Sequence, residues 1–442
     1  MLVQNYLSGD SAVNIARSIE SAVAGGKIAG GSLLPPVRSA AAHLRVSPAT
    51  VAAAYRVLGQ RGVVIADGRR GTRVRHAPPI AMPVSAPLPE SVRDLAGGNP
   101  DDALLPAIPK LAHEQRLYRD DLNDPRLLDL ARTQFIDDHV PAETIAVVSG
   151  ALDGVERVLR EHLRPGDRVA VEDPCFTGVL DLLSALALIA VPVMIDDEGL
   201  DPDALKRALR GDVAALVITP RAQNPTGSAI SVSRQRALRA ILAKHPGLLL
   251  IEDDHAGPIA GAPYRTLVDA SREHWAVVRS VSKSLGPDLR VAVLAADERT
   301  IALVEGRQNL GIRWVSHILQ RIVIAMWSDR RVQSLLRRAE RTYTNRRNAL
   351  LRELRMRGIE AHGASGLNVW IPVREETPVV QALMTAGWAV QAGERYRLTT
   401  GPAVRITIAT LEPEDAARVA EDLARMLTPS SVLARTSRAY RP

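Results

Sequence analysis

The sequence predicts two folded units of different class, a small α+β module at the N-terminus and a larger α/β domain behind it. Three observations predict them. Residues 1–78 hold ten Lys/Arg against three Asp/Glu, an excess equal to the whole chain's net charge of +7, while the remainder carries 46 of each sign. Pro79, Pro83, Pro87 and Pro89 interrupt residues 79–95, the composition of a semi-rigid, extended linker. From 96 to 428, short apolar runs alternate with helical patterns, which suggests a mostly parallel sheet with crossover helices. At 442 residues the chain is too long for one ordinary core. The last stretch, 429–442, is rich in Ser and Arg and is expected to be mobile.

Composition removes several classes. A hydrophobic content of 46% with balanced charge suits a folded, soluble protein. The single cysteine, Cys175, excludes an internal disulfide and fits a reducing compartment. The start, Met1-Leu2-Val3-Gln4-Asn5, has neither a charged nor an apolar leader region. The longest nearly apolar run, Leu182 to Ile195, is too short to span a bilayer and contains Pro192, so a buried helix followed by a strand is expected. The expected location is cytoplasmic. No CxxC, HExxH or EF-hand spacing occurs, and no metal site is expected.

In the basic module, residues 12–23 repeat with helical period and stop at Gly25-Gly26. A short helix follows Leu34-Pro35-Pro36-Val37-Arg38 and runs to Leu44, with a tight corner at Arg45-Val46. Ser47 then suits an N-cap and Pro48 the first helical position, while Val51, Tyr55 and Leu58 fall on one apolar stripe. Two short helices about a tight turn form a helix-turn-helix, whose second helix presents its N-terminal residues to base edges. Here those residues are Ser47, Ala49 and Thr50, with Arg38 placed for a phosphate or guanine and Arg56 farther along the same helix. Val63–Ala66 and Thr72–Arg75 flank Asp67-Gly68-Arg69-Arg70-Gly71, a hairpin whose basic tip, Arg69 and Arg70, suits a groove or backbone. The Leu-Pro-x-x-Arg, Thr-Val-x-x-Ala-Tyr and Gly-x-x-Gly-Thr-x-Val elements resemble the GntR-type winged helix, which implies double-stranded DNA as a partner.

The larger domain is organised around Arg279–Arg290. Apolar runs on both sides predict strand, turn and strand, with Lys283 on the turn among Ser280, Ser282 and Arg290. A lysine whose pKa is lowered by burial and nearby cations can form a Schiff base with an aldehyde, and the hydroxyls with Arg290 suit a phosphate. That pair of functions describes pyridoxal 5′-phosphate (PLP). The apolar run into Ser149-Gly150-Ala151 ends where a helix begins, offering free amides to a phosphate. Phe176, one of only two Phe, stands at a strand exit and suits either ring stacking or core packing. Asn224, in Asn-Pro-Thr-Gly, follows another strand, and Asp253 ends the next. Asn224, Asp253 and Lys283 are spaced by 29 and 30 residues, about one strand-helix-strand step each, so the three converge.

This ordered set resembles the fold-type I, aspartate-aminotransferase-like PLP family across residues 96–428. The resemblance implies Lys283 as the Schiff-base lysine, Asp253 on the pyridine nitrogen and Asn224 on the ring hydroxyl. It also implies Ser149, Gly150, Ala151, Ser280, Ser282 and Arg290 around the phosphate, with Phe176 on the ring and Arg405 on a substrate or effector carboxylate. Tyr118 resembles the tyrosine that reaches the partner subunit's phosphate, which implies a homodimer. The family's usual tyrosine two residues after the aspartate is replaced by His255, which titrates near neutrality in its unperturbed form.

The whole chain thus reads as an N-terminal winged helix-turn-helix (α+β), residues 1–78, joined by a linker, 79–95, to an α/β fold-type I aminotransferase-like domain. That fusion resembles the MocR subfamily of bacterial transcription regulators. Within the subfamily, Val171–Phe176, Thr219–Gly227 and Ser280–Arg290 are most similar to regulators acting on pyridoxal kinase expression. Control of vitamin B6 salvage is implied, with PLP, or a PLP–amino acid adduct, as effector. A PLP-dependent aminotransferase acting on an amino acid is the alternative. Trp314-Val315-Ser316-His317 belongs to the same likeness without an assigned role.

Overall fold

The computed structural model describes residues 3–60, 63–66, 71–74, 88–111, 117–118, 121–269 and 272–427. The N-terminal unit begins with helix α1 (Ala12–Ala24), capped by Ser11, whose Oγ accepts the Asn14 N–H. Helix α2 (Val37–Leu44) ends at Arg45, which adopts a left-handed φ of 56° and turns the chain sharply into α3 (Pro48–Gln60). Ser47 caps α3 as the sequence predicts, its Oγ accepting the Thr50 N–H at 3.1 Å. Val51, Tyr55 and Leu58 are buried in one cluster with Ile15 and Ile19 of α1. The Tyr55 hydroxyl donates to the Pro35 carbonyl at 2.8 Å and so fixes α3 against the chain leading into α2. Strands β1 (Val64–Ala66) and β2 (Thr72–Val74) pair antiparallel, and Gly31 and Leu34 donate to Val74 and Thr72 along the other edge of β2. The result is a helix-turn-helix with a wing. The wing tip, with Arg69 and Arg70, lies outside the described residues.

The larger unit starts at β3 (Arg93–Asp94) and continues through α4 (Pro125–Asp137), β4 (Ile145–Val148), α5 (Ala151–His162), β5 (Arg168–Asp173) and α6 (Thr177–Ala185). Next come β6 (Ile189–Asp196), β7 (Gly199–Leu200), α7 (Pro202–Ala208), β8 (Ala215–Ile218), α8 (Val232–Leu242) and β9 (Leu249–Asp254). Strands β10 (Trp275–Ser280) and β11 (Ala292–Ala296) then precede α9 (Glu298–Asn309), α10 (His317–Ser328) and the long α11 (Arg330–Met356). The chain closes with β12 (Asn368–Pro372), α12 (Glu376–Thr385), β13 (Trp388–Ala389), β14 (Gln391–Ala392), β15 (Ala403–Thr407) and α13 (Pro413–Leu427).

The main sheet has the order β4-β11-β10-β9-β8-β5-β6-β7. Strands β10, β9, β8, β5 and β6 are successively parallel, whereas β11 runs against both of its neighbours, β4 and β10. Continuous apolar runs make these central strands, because both faces are covered. Along β9, Leu250 joins one hydrophobic cluster while Leu249 and Ile251 join the other. The two-residue alternation therefore sends Asp253 to the second face and Glu252 and Asp254 to the first.

The connection from β9 to β10 departs from the expected strand-helix-strand step. A single 3-10 turn, Gly257–Ile259, and an extended loop replace the helix. Pro258 and Pro263, with the positive φ of Gly257 and Gly261, explain why no longer helix forms. A second sheet, β12-β15-β14, carries Arg405, and β3 pairs parallel with β13. Among the described residues, no helix is long and apolar enough to cross a membrane.

Helix α5 is seated on the sheet through Gly154, where an added Cβ would meet Val278 Cγ1 at 3.0 Å and Val148 Cγ2 at 3.1 Å. Gly154→Leu is expected to lift α5, lowering stability by roughly 1–3 kcal/mol as overpacking does. Urea unfolding measures the loss, and PLP titration should show weakened binding at the displaced helix N-terminus.

Candidate cofactor site and DNA-reading helix

Strands β8, β9 and β10 are adjacent and parallel, so their C-terminal ends share one edge. Asn224 lies in the loop after β8, Asp253 on the last turn of β9, and Lys283 in the turn after β10. Lys283 Nζ donates to the Gly98 carbonyl at 2.6 Å. Burial, aided by the charge of Arg405, lowers the lysine to about 8, which leaves a sizeable neutral fraction near physiological pH.

Asp253 is 5% exposed, and its Oδ1 is buried without a hydrogen-bond partner among the described residues. Burial and the neighbouring Asp254 raise its pKa to about 7. An unsatisfied carboxyl oxygen in such a place is costly unless a donor arrives, and a protonated pyridine nitrogen is such a donor. His255 is half-buried; burial, reinforced by the charge of Lys283, pushes its imidazole down to about 4, so it is neutral at pH 7.

Asn224 Oδ1 accepts from Arg405 Nη1 at 2.9 Å and from Asn368 Nδ2 at 3.4 Å, leaving its amide N–H groups to face other partners. Arg405 is buried on β15, also donates to the Ala96 carbonyl, and lies over the Tyr396 ring at 5.1 Å. The loop that carries Asn224 is propped by Glu172, which accepts the Thr219 N–H at 3.0 Å and a Gln223 Nε2 hydrogen at 3.1 Å.

The phosphate candidates also gather. Gly150, with φ of 104°, precedes α5, whose N-terminus has no side-chain cap. A Cβ at Gly150 would stand 3.1 Å from Arg290 Nη2, so glycine lets the guanidinium lie against the helix start. Ala151 opens the helix, and Ser149 N–H is engaged by Asp153 Oδ2 at 2.9 Å. Asp153 is itself paired with Arg157. Ser280 and Ser282 are linked hydroxyl to hydroxyl at 3.1 Å. Phe176 is the N-cap residue of α6 and is half-buried, and a Cβ at Gly178 would fall 2.6 Å from Phe176 Cε1 and 2.8 Å from Leu152 Cδ1. Its ring is thus fixed beside the first turn of α5.

Tyr118 is not brought to these groups. It is 75% exposed, under the Arg313 guanidinium at 5.1 Å and against the Trp314 ring at 5.5 Å. The Trp314–His317 motif acquires a visible role here, because Trp314 stands between Tyr118 and His317.

In the DNA-reading module, Arg38, Ser47, Ala49 and Arg56 are exposed and Thr50 is half-buried. Ser47 and Thr50 are not free readers, for their hydroxyls are 2.8 Å apart and Ser47 is committed to its cap. Sequence reasoning missed Gly98, Ala96, Glu172 and Asn368. The Gly97-Gly98-Asn99-Pro100 turn signal at the end of the linker was the one local clue to the first two.

The residues fit PLP: an amine of lowered pKa, a partnerless acid, an uncapped helix N-terminus under an arginine, and an amide-bearing turn. The folded pKa of Asp253, about 7, lies above its ordinary value of 3.8. Between those values the folded protein binds more protons than the unfolded chain, so stability falls as pH rises, by up to about 1.4 kcal/mol per unit. Asp253→Asn should remove that contribution and flatten the slope relative to wild type, measured by urea unfolding from pH 4 to 8 without PLP.

Comparison with known proteins agrees with this geometry. The model for aminotransferase class I and II matches residues 95–423, and that for bacterial regulatory proteins of the gntR family matches residues 11–74. The chain is 38% identical over 428 residues to the vitamin B6 salvage pathway transcriptional repressor PtsJ of Salmonella typhimurium, covering 95% of this chain and 99% of that protein. It is 26% identical over 352 residues to the pyridoxine biosynthesis transcriptional regulator PdxR of Corynebacterium glutamicum, covering 76% of each. Kynurenine aminotransferase of Pyrococcus horikoshii shares the fold with a TM-score of 0.69 at 18% identity, over 76% of this chain and 91% of that one. The larger unit is therefore a PLP-family fold, and the chain belongs to the aminotransferase class I and II family, fused to a GntR helix-turn-helix in the manner of the MocR regulators.

Proposed function

We propose that this protein is a PLP-responsive transcriptional regulator that binds promoter DNA as a homodimer and controls vitamin B6 salvage through pyridoxal kinase expression. The observation that carries the reading is a buried acid, Asp253, whose Oδ1 has no hydrogen-bond partner among the described residues, one strand away from Lys283, in a chain that also holds a winged helix. PLP, when bound, supplies an aldehyde, a phosphate and a basic ring nitrogen. Lys283 meets the aldehyde, Asp253 the ring nitrogen and Asn224 the ring hydroxyl, with Phe176 beside the ring. Gly150, Ala151, Ser280, Ser282 and Arg290, with the Ser149 hydroxyl, hold the phosphate. His255 takes the place beside the lysine as a neutral donor or acceptor.

The dimer is supported by exposed Leu117, Tyr118, Leu310 and Ile312 on the segments joined by Arg313 and Trp314. Large exposed apolar side chains grouped this way mark an association surface. On DNA, Arg38 and Arg56 meet phosphate or base while Ala49 stands at the reading end of α3 beside the linked Ser47 and Thr50 hydroxyls, and Arg69 and Arg70 are the basic residues expected from the sequence to join them. The relatives named for vitamin B6 salvage and pyridoxine biosynthesis support the choice of regulon.

A second reading, an aminotransferase acting on an amino acid, is favoured by the buried Arg405 beside Lys283. Steady substrate-dependent turnover followed by absorbance would establish it. For the regulator, binding is measured to DNA upstream of its own gene and of a pyridoxal kinase gene. PLP is expected to shift wild-type affinity and to leave Lys283→Ala unmoved. Specific binding that ignores PLP in both proteins would reject the effector role. The rate of the PLP absorbance change should rise between pH 7 and 9, because lysine reacts only when neutral and Lys283 titrates at about 8. Arg38→Ala should lower the slope of log K against log salt by about 0.9 if it neutralises one phosphate.

A further inference from the structure

The two cations of the site hold the same three residues of the chain. Lys283 Nζ donates to the Gly98 carbonyl at 2.6 Å, and Arg405 Nη2 donates to the Ala96 carbonyl. The turn between those carbonyls is shaped by Asp94, whose Oδ1 accepts the N–H groups of Ala96 at 2.8 Å and Gly97 at 2.9 Å. Gly98, at φ of 67°, packs so closely that a Cβ there would be 3.4 Å from Arg405 Nη2. Leu95 separates this strap from β3, and β3 lies at the C-terminal end of the segment read from the sequence as the linker, 79–95.

We infer that Ala96–Gly98 is an occupancy-sensing strap, released from Lys283 when that lysine condenses with an aldehyde, and that its release is passed through β3 to the linker. The inference rests on the PLP reading of Lys283 given above. The chemistry supplies the competition. An ammonium carries three N–H donors. On condensation the nitrogen forms a double bond to the aldehyde carbon, the aldehyde oxygen leaves as water, and at most one N–H remains. The Gly98 carbonyl then loses the ammonium donor, and Arg405 is left as the cation on the strap, beside the turn that Asp94 shapes. A ligand that also presents a carboxylate to Arg405 would take the second hold as well. Conversely, the carbonyl favours the charged amine and so opposes condensation until the strap moves.

Asp94 tests this without touching the ligand groups. In Asp94→Ala the turn loses its acceptor and the strap loosens beforehand, so PLP should bind about 2- to 10-fold more tightly, the range for one net hydrogen bond. The PLP-induced shift in DNA affinity should shrink. Asp94→Asn keeps the Oδ1 acceptor without the charge and should restore wild-type behaviour, which separates strap geometry from a charge effect on Arg405. The direct readout is hydrogen exchange at the amides of residues 93–98 in the full chain, with and without PLP. Faster exchange on PLP addition in wild type and Asp94→Asn, and fast exchange at the outset in Asp94→Ala, is the expected result. A PLP absorbance change with unchanged or slower exchange overturns the strap and leaves the PLP site standing. No absorbance change in wild type overturns both.

Discussion

The buried carboxylate of Asp254 is the interaction on which the rest of the site depends. It accepts both Nε and Nη2 of Arg221 at 2.9 Å and Nε of Arg279 at 2.7 Å, and Arg279 reaches on to Asp138 after α4. Burial acts to raise its pKa, but the two guanidinium groups outweigh that and hold it well below the usual carboxylate range. The rings of Tyr264 and Phe135 cover the same arginines. One acid thereby ties the loop after β8, the end of β9 and the end of β10, the three places that carry Asn224, Asp253 and Lys283. Buried ion pairs add little net stability over a well-packed apolar alternative. What this one fixes is relative position.

The next residue along shows how much a strand's alternation decides. Asp253 and Asp254 are neighbours with the same side chain, yet they face opposite sides of the sheet. Asp254 meets two arginines and stays charged, while Asp253 meets none and holds its proton until about pH 7. The charge of Asp254 itself helps to raise Asp253. A single Glu-Asp-Asp run thus provides a structural anion on one face and, on the other, a carboxyl with an oxygen open to a hydrogen-bond partner.

Much of this was legible in the sequence because it is local. Ser47 before Pro48 marks a helix start, and the Val51, Tyr55 and Leu58 stripe marks its buried side, whatever the remainder of the chain does. Asn224, Asp253 and Lys283 were legible for a related reason, since strands that end at one edge bring regularly spaced residues together. The contacts of Arg405 with the Ala96 carbonyl and the Asn224 side chain were not, as they join residues 309 and 181 positions apart, and a backbone carbonyl carries no sequence signature. Nor was the loop between β9 and β10, where Gly257, Pro258 and Pro263 overrode an expected helix. Tyr118, read from the sequence as reaching a partner subunit, faces outward in the single chain.

The pairing of β3 with β13 also orders events in time. Arg93 lies in register with Trp388, its N–H donates to the Gly387 carbonyl at 2.9 Å, and its side chain is paired with Asp415, although nearly the whole larger domain lies between them in sequence. Among the described residues, the small module draws its core from positions 3–74. On the ribosome, therefore, the DNA-reading helices can close while the body is still being made, and β3 gains its neighbour only once β13 emerges. A chain cut short before β13 would keep the helix-turn-helix and leave β3 without the strand it pairs with.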